Sequence, residues 1–330
     1  MAPHNIALTH SPSPYTSSSD PVSEKKEKRK KKKKKKKKTE NNYALSIEKR
    51  FGIPNIARIK PLKTSPGEEN QLIPPFIPFR STFVTSPKYS LAACRIQKNL
   101  STILLNLFCF LNTPRKFTRR ASSLTIEFKN YVSVETCNDT HATHIGADHN
   151  FTTLLAIIRD PVERFLSGFV DKCIHEANHK KTRCYGCNKN MMCVLKAQYE
   201  RFQLIADGKL TNFSYEDRHF APMSWFCDFT RETVKNYRFL YFGETEEEQG
   251  ETVDELMTVF EDHGVDNHTT TYISEELSAN RTKHSTSGSM IRIRTGYEMR
   301  KSKEAMKMLY LIYENDYKAF NLNSPFSNYP

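Results

Sequence analysis

The sequence contains no apolar run long enough to cross a bilayer. Its best stretch, Ile103 to Leu111, falls well short of the roughly twenty residues that a spanning helix needs. The first 24 residues also lack the apolar core of a signal peptide. There is no Gly-x-x-x-x-Gly-Lys-(Ser/Thr) loop, which counts against a P-loop nucleotide kinase-like enzyme. No aromatic residue interrupts the basic block Lys25 to Lys38, so that block offers no base-stacking surface. Cys184 and Cys187 have zinc-knuckle spacing, yet no second matched Cys pair or His pair follows at finger spacing.

What is present is a globular composition, with 38% hydrophobic and 11% aromatic residues in a chain of 330. That length holds one large α/β domain and a tail. The net charge of +13 misleads, because Lys25 to Lys38 supplies +12 of it and leaves the remainder near neutral. Any anion site must therefore come from local placement of cations. Residues 1–85 read as a disordered low-complexity tail: Ser, Pro and Thr come first, then the Lys block, then Pro61, Pro66, Pro74, Pro75 and Pro78. The folded domain is expected over 86–325. A Lys block also suits a non-catalytic nucleic-acid-binding protein, although a solvated tail explains it without any partner. Eight cysteines are many for a cytosolic enzyme and ordinary for a secretory-pathway protein. Five of them, Cys173, Cys184, Cys187, Cys193 and Cys227, fall close together. A disulfide-stapled loop is the preferred reading there, with a four-Cys zinc site as the alternative.

The stretch Leu154 to Asp171 organises the chain. Leu154 to Ile158 is unbroken apolar sequence, suited to a strand buried on both faces. Arg159-Asp160-Pro161 ends it. Asp160 precedes a proline and is biased away from the α region, while Pro161 fits the first turn of a helix. Val162, Phe165, Leu166, Phe169 and Val170 then recur at helical spacing. Arg159 and Ser167 flank a loop and helix start where an anion gains from the helix N-terminus. A second strand, loop and helix lies upstream: Tyr89 to Gln97, then Gln97-Lys98-Asn99-Leu100-Ser101-Thr102, then Ile103, Leu104, Leu107, Phe108 and Leu111. One Lys, two hydroxyls and a helix N-terminus make that loop a phosphate cradle. Further on, Cys193 to Ile205 reads as a helix and Arg238 to Thr245 as strand plus turn. An acidic helix follows to about His263, and the last helix carries Met306, Leu309, Ile312 and Tyr317.

Arg159-Asp160-Pro161 with Arg164 and Ser167 resembles the 3′-phosphate motif of sulfotransferases, most of all the Golgi carbohydrate branch with its chondroitin and heparan enzymes. The upstream loop is similar to the family's Pro-Lys-x-Gly-(Ser/Thr)-(Ser/Thr), with Gln97 in place of Pro and Leu100 in place of Gly. Asp217 to Cys227 resembles that branch's Asp-x-His-Trp-x-Pro … Cys segment, with Phe220 in place of Trp. The polar loop Arg281 to Gly288 resembles the late His-Ser-Thr segment, and Tyr313 to Phe320 the closing Tyr-x-x-Asp-x-x-x-Phe. The resemblance covers roughly residues 88 to 322.

It implies an α/β, P-loop-like sulfotransferase fold with a central parallel sheet flanked by helices. It implies the sulfate donor 3′-phosphoadenosine 5′-phosphosulfate (PAPS), no metal, and a glycan or proteoglycan acceptor. Lys98, Ser101 and Thr102 would hold the 5′ end of the donor, and Arg159, Ser167 and Ser285 the remainder, while Arg164 braces the helix or binds acceptor. A base must take the acceptor proton. His144 and His149 are candidates by similarity to the heparan 2-O branch, and His219 either shares that role or braces its loop. His141, His144 and His149 with Asp139 and Asp148 fit no familiar zinc spacing. The basic cluster Arg115, Lys116, Arg119 and Arg120 is a solvated loop or a contact for an acidic glycan. The resemblance also implies the Golgi lumen and membrane association, yet this sequence holds no anchor. That departure leaves two readings, a start further upstream or a copy that is not luminal. Sequons at Asn99, Asn138, Asn150, Asn212, Asn267 and Asn280 favour the lumen, except that Asn99 falls inside the phosphate loop.

Overall fold

The apolar run at the centre of the sequence becomes an interior strand of a five-stranded sheet. The computed structural model describes residues 72–79, 81–121, 123–125, 137, 140–143, 145, 151–176, 183–280, 286 and 288–326. Its strands are β1 (Phe83–Ser86), β2 (Leu91–Cys94), β3 (His141–Ala142), β4 (Thr153–Ile158) and β5 (Tyr237–Tyr241), in the order β3-β1-β2-β4-β5. The half formed by β2, β4 and β5 is parallel, as expected. The other half departs from that expectation, because β1 pairs antiparallel with both β2 and β3. A 3-10 turn at Pro87–Tyr89 reverses the chain and shortens β2 to four residues, from the longer strand that the sequence suggested.

Side chains alternate across β4 because successive residues of a strand face opposite sides. Leu155 and Ile157 enter one core, with Leu91, Ala93 and Leu240. Ala156 and Ile158 enter the other, with Phe83 and Cys94. The first core is covered by α1 (Ser101–Asn112), α2 (Pro114–Arg120), α6 (Glu246–Asp262) and α7 (Asn267–Ala279). The second is covered by α3 (Pro161–Gly168), α4 (Met191–Ala206) and α9 (Lys303–Ala319), with α5 (Tyr215–Phe220) and α8 (Met290–Lys301) beside them. Both faces of the sheet are thus dry.

The boundary expected at residue 85 falls inside this packing. β1 is a sheet strand, and Ile73 and Phe79 are buried in the second core. Ile73 N–H donates to the Leu311 carbonyl at 2.8 Å, and Trp225 Nε1 donates to the Pro74 carbonyl at 2.7 Å. Pro74, Pro75 and Pro78 thus lie in a strap that is bonded to α9 through Ile73 and to Trp225 through Pro74.

All eight cysteines are paired: Cys94–Cys227, Cys109–Cys137, Cys173–Cys184 and Cys187–Cys193. The stapled loop is therefore two short bridges in series. Cys227 reaches out of the cluster to the end of β2, and the knuckle pair Cys184 and Cys187 is split between two disulfides.

Candidate active site

The loops that follow β2, β4 and β5 leave the carboxyl ends of three parallel strands, where open α/β sheets place ligands. The first of them turns tightly. Lys98 and Leu100 both have left-handed backbones, with φ of 71° and 54°. Each such non-glycine residue costs on the order of 1–2 kcal/mol, so the surroundings must hold the turn. Asn99 holds it from within: it is fully buried and donates to the Ile157 carbonyl at 2.8 Å. Arg164 holds it from the side. Its Nε donates to the Gln97 carbonyl at 3.0 Å and its Nη1 to the Ala221 carbonyl at 2.8 Å. Arg164 is the brace. Leu100 stands at the glycine position of the resembled loop and adopts the left-handed backbone that glycine takes most readily. α1 starts directly after it with no side-chain cap. Its first N–H groups and the half-buried hydroxyl residues Ser101 and Thr102 can serve a bound anion.

Lys98 donates to Asp171 Oδ2 at 2.6 Å. Burial lowers its pKa, Asp171 raises it, and Lys172 and Arg159 lower it again, leaving it at about 8. Arg159, at the end of β4, is 6% exposed and lies over the Phe242 ring at 5.4 Å. Burial first and Arg292 second bring its pKa down to about 10, so it stays cationic at neutral pH. Its Nε is buried with no hydrogen-bond partner among the described residues. An orphaned donor on a buried cation fits an oxyanion. The nearby Glu163 does not fill that role, because Arg292 and Arg300 from α8 bind its two oxygens. Ser167, also buried, lies 3.5 Å from the Thr286 hydroxyl.

The helix carrying these residues is well specified. Asp160 caps it by accepting from Glu163 N–H at 2.8 Å, and Tyr317 O–H donates to the other Asp160 oxygen at 2.6 Å. After Gly168 it widens into a π-helical turn, Phe169–His175, which carries Asp171 and Lys172.

The third wall is Asp217 to Cys227. Asp217 is structural: Arg201 grips both its oxygens, at 2.9 and 2.6 Å, and Tyr185 O–H adds a bond at 3.1 Å. His219 is partly exposed and donates Nδ1–H to the Tyr215 carbonyl at 2.7 Å. A carbonyl can only accept, so the Nε2 of the neutral ring carries the lone pair. Burial first, then Lys172, push the His219 pKa down to about 3. The closing motif fixes this wall. Tyr313 O–H donates to the Phe220 carbonyl at 2.7 Å, and Asp316 accepts from Ser224 N–H at 3.0 Å and Ser224 O–H at 2.6 Å.

Lys98 and Arg159 stand at the carboxyl ends of neighbouring strands, β2 and β4, close enough that the charge of Arg159 adds to the lowering of the Lys98 pKa, and the charge of Lys98 adds to that of the His219 pKa. Of the residues singled out in the sequence, Lys98, Ser101 and Thr102 follow β2, Arg159 and Ser167 follow β4, and His219 stands on α5. His144, His149 and Ser285 lie outside the described residues. The sequence reading missed Asp171, Lys172 and Tyr317. Asp171 and Lys172 follow the apolar helix face with no motif of their own, and Tyr317 is one more residue of the last helix pattern. Among the described residues, no group of three or more His, Cys, Asp or Glu side chains is placed to hold a metal, and no helix is long and apolar enough to cross a membrane.

Residues 81–323 match the sequence profile of the Sulfotransferase family. The chain belongs to that family and is an enzyme of its kind. A carbohydrate sulfotransferase, chst-1 of Caenorhabditis elegans, is 32% identical over 264 residues, covering 78% of this chain and 80% of that protein. An uncharacterized protein of the same organism, C18B2.2, is 31% identical over 263 residues, 77% of this chain and 72% of the relative. The putative sulfotransferase vep-2, also from C. elegans, is 28% identical over 220 residues, 64% and 67% of the two chains. No solved structure matches the chain.

Proposed function

We propose that this sulfotransferase moves a sulfuryl group from PAPS to a hydroxyl of a glycan of the chondroitin or heparan type. The observation that carries the donor reading is the buried Arg159 guanidinium, with its unpartnered Nε, on the same crevice as Lys98 and the uncapped start of α1. Bound PAPS supplies an activated sulfuryl group whose departure leaves charge on a phosphate oxygen. Arg159 and Ser167 hold the 3′-phosphate, and Ser285 joins them. Ser101, Thr102 and the first N–H groups of α1 hold the 5′ end. Lys98 neutralises the leaving oxygen. His219, with its lone pair on Nε2, accepts the acceptor's proton; burial is the main cause of its lowered pKa, and a bound anion offsets only the smaller part that Lys172 and Lys98 add. His144 and His149 remain alternative bases.

The glycan acceptor rests on the relative named a carbohydrate sulfotransferase and on the Asp217 to Cys227 segment. Four disulfides fit an oxidising compartment, which supports the Golgi lumen. The sequon residues Asn212, Asn267 and Asn280 are exposed, whereas Asn99 is buried.

The test is transfer of labelled sulfate from PAPS to a panel of desulfated glycosaminoglycans, alongside calorimetric binding of 3′-phosphoadenosine 5′-phosphate (PAP). Transfer to a chondroitin or heparan backbone supports the full reading. PAP binding without transfer to any glycan overturns the acceptor half, and absence of PAP binding overturns the donor half.

A further inference from the structure

A line of alternating charges runs away from the donor loop. Asp171 Oδ2 accepts from Lys98 at 2.6 Å and from Lys172 at 2.9 Å. Lys172 donates on to Glu176 at 2.5 Å and stands 5.6 Å above the Tyr215 ring. Arg183 lies 3.6 Å from Glu176 and 3.8 Å from Glu216, with its guanidinium 3.7 Å above the same ring. Asp171 and Lys172 sit on the π-helical turn Phe169–His175, and Arg183 adjoins Cys184 of the Cys173–Cys184 bridge. π-helical turns recur at functional sites, where the wider turn redirects side chains.

One ammonium would neutralise Asp171, yet two share a single oxygen. They differ in how they are held. Lys172 is anchored by Glu176 and lies over Tyr215, whereas Lys98 projects from the loop that the proposed donor reading assigns to the 5′ end of PAPS. Asp171 is only 3% exposed. If Lys98 left it with no other cation in reach, a buried anion would be stranded, and breaking a buried pair in that way is strongly destabilising.

We infer that Lys172 is a positioning residue: it keeps Asp171 neutralised when Lys98 turns to the donor, so that Lys98 is released at little cost. The inference rests on the proposed donor reading and adds a resting place and a release device to it. Asp171 holds the catalytic ammonium while the site is empty. Lys172 takes over the carboxylate when the leaving phosphate claims that ammonium. No bond to sulfur or phosphorus involves either residue.

The experiment uses the full, disulfide-intact chain and measures PAP affinity, kcat, PAPS KM and Tm for a set of variants. Lys172→Met should weaken PAP binding and lower kcat by roughly ten- to a hundredfold, the range expected for coupled members of one ion-pair network. The acceptor KM should stay near its original value. Lys172→Arg should restore most of the loss. Adding Asp171→Asn to Lys172→Met should recover PAP affinity, because no buried anion then remains to hold Lys98; a general structural role would give no such recovery. Lys172→Gln replaces the Met variant if the latter does not fold. Unchanged PAP affinity and kcat in Lys172→Met would overturn the inference while leaving the donor reading in place, as would a loss that neither Arg nor Asp171→Asn recovers. A wild-type protein that does not bind PAP would remove the donor reading and this inference with it.

Discussion

Arg159 and Lys98 carry the same charge into the same crevice, but their proposed tasks differ in time. Arg159 faces a phosphate whose charge does not change during transfer, so its contacts are alike in ground and transition states. Arg159→Ala should raise the PAPS KM and weaken PAP binding, by the on the order of 1.5–3 kcal/mol of a charged hydrogen bond, with kcat less affected. Lys98 faces the oxygen that gains charge. Lys98→Ala should mainly lower kcat, by about 10²–10³-fold if it behaves as a lost oxyanion donor. Steady-state kinetics with PAP affinity measured separately distinguishes the two, and a near-normal kcat in Lys98→Ala would remove the 97–102 loop from the site. Proton chemistry gives a second handle. Only the ammonium form of Lys98 can neutralise the leaving oxygen, and its pKa is lowered to about 8. kcat/KM of the free enzyme should therefore fall as pH rises through 8, and in Lys98→Arg that basic limb should move upward, because guanidinium keeps its proton. A limb that stays put in Lys98→Arg would assign it to another group. Lys98 and Arg159 were legible because each stands beside its own strand end and helix start in the chain. Asp171 was not, because Lys98 is 73 residues away from it and the adjacent Lys172 gives no sign of that pairing.

The loop before α1 tests backbone geometry separately from side-chain packing. Leu100→Gly and Leu100→Ala both remove the side chain, but only alanine keeps the left-handed penalty at φ 54°. The glycine variant should be more stable than the alanine variant by about 1 kcal/mol in denaturant unfolding. Equal stabilities would mean that the turn relaxes without Leu100. The strap before β1 makes a larger claim. A chain beginning at residue 72 should keep its Tm and PAP binding. One beginning at Pro87 loses β1, Ile73 and Phe79 and should melt many degrees lower or fail to fold, since deleting even one large buried side chain typically costs about 2–5 kcal/mol. Equal Tm values for the two chains would show that the strap is dispensable. β4 and α3 were readable from the sequence because an apolar run, a capping aspartate and an N1 proline agree locally. The strap was not, because its buried residues, Ile73, Phe79 and Phe83, are scattered among prolines and follow no period. Ile73 is held by α9, more than two hundred residues later, and Phe79 packs on Phe213, Trp225 and Phe226.

Across the whole molecule, the sheet divides two cores and the disulfides divide into two kinds. Cys187–Cys193 closes a loop of 6 residues, whereas Cys94–Cys227 spans 133. Loop-closure entropy then predicts a loss of about 2 kcal/mol for the Cys187→Ser/Cys193→Ser pair and about 5 kcal/mol for Cys94→Ser/Cys227→Ser. Denaturant unfolding of the two double variants measures the difference, and equal losses would show that the long bridge acts on the native state instead of the unfolded chain. The long bridge has a further consequence, for the order of synthesis. It encloses the other three, each of which joins neighbours in the order of cysteines along the chain. As the polypeptide emerges, Cys94 passes six other thiols before its own mate is made. Simple sequential oxidation would join it to Cys109. Maturation of this enzyme should therefore be limited by disulfide isomerisation, and the yield of active protein should follow the supply of an isomerase more closely than the supply of an oxidant.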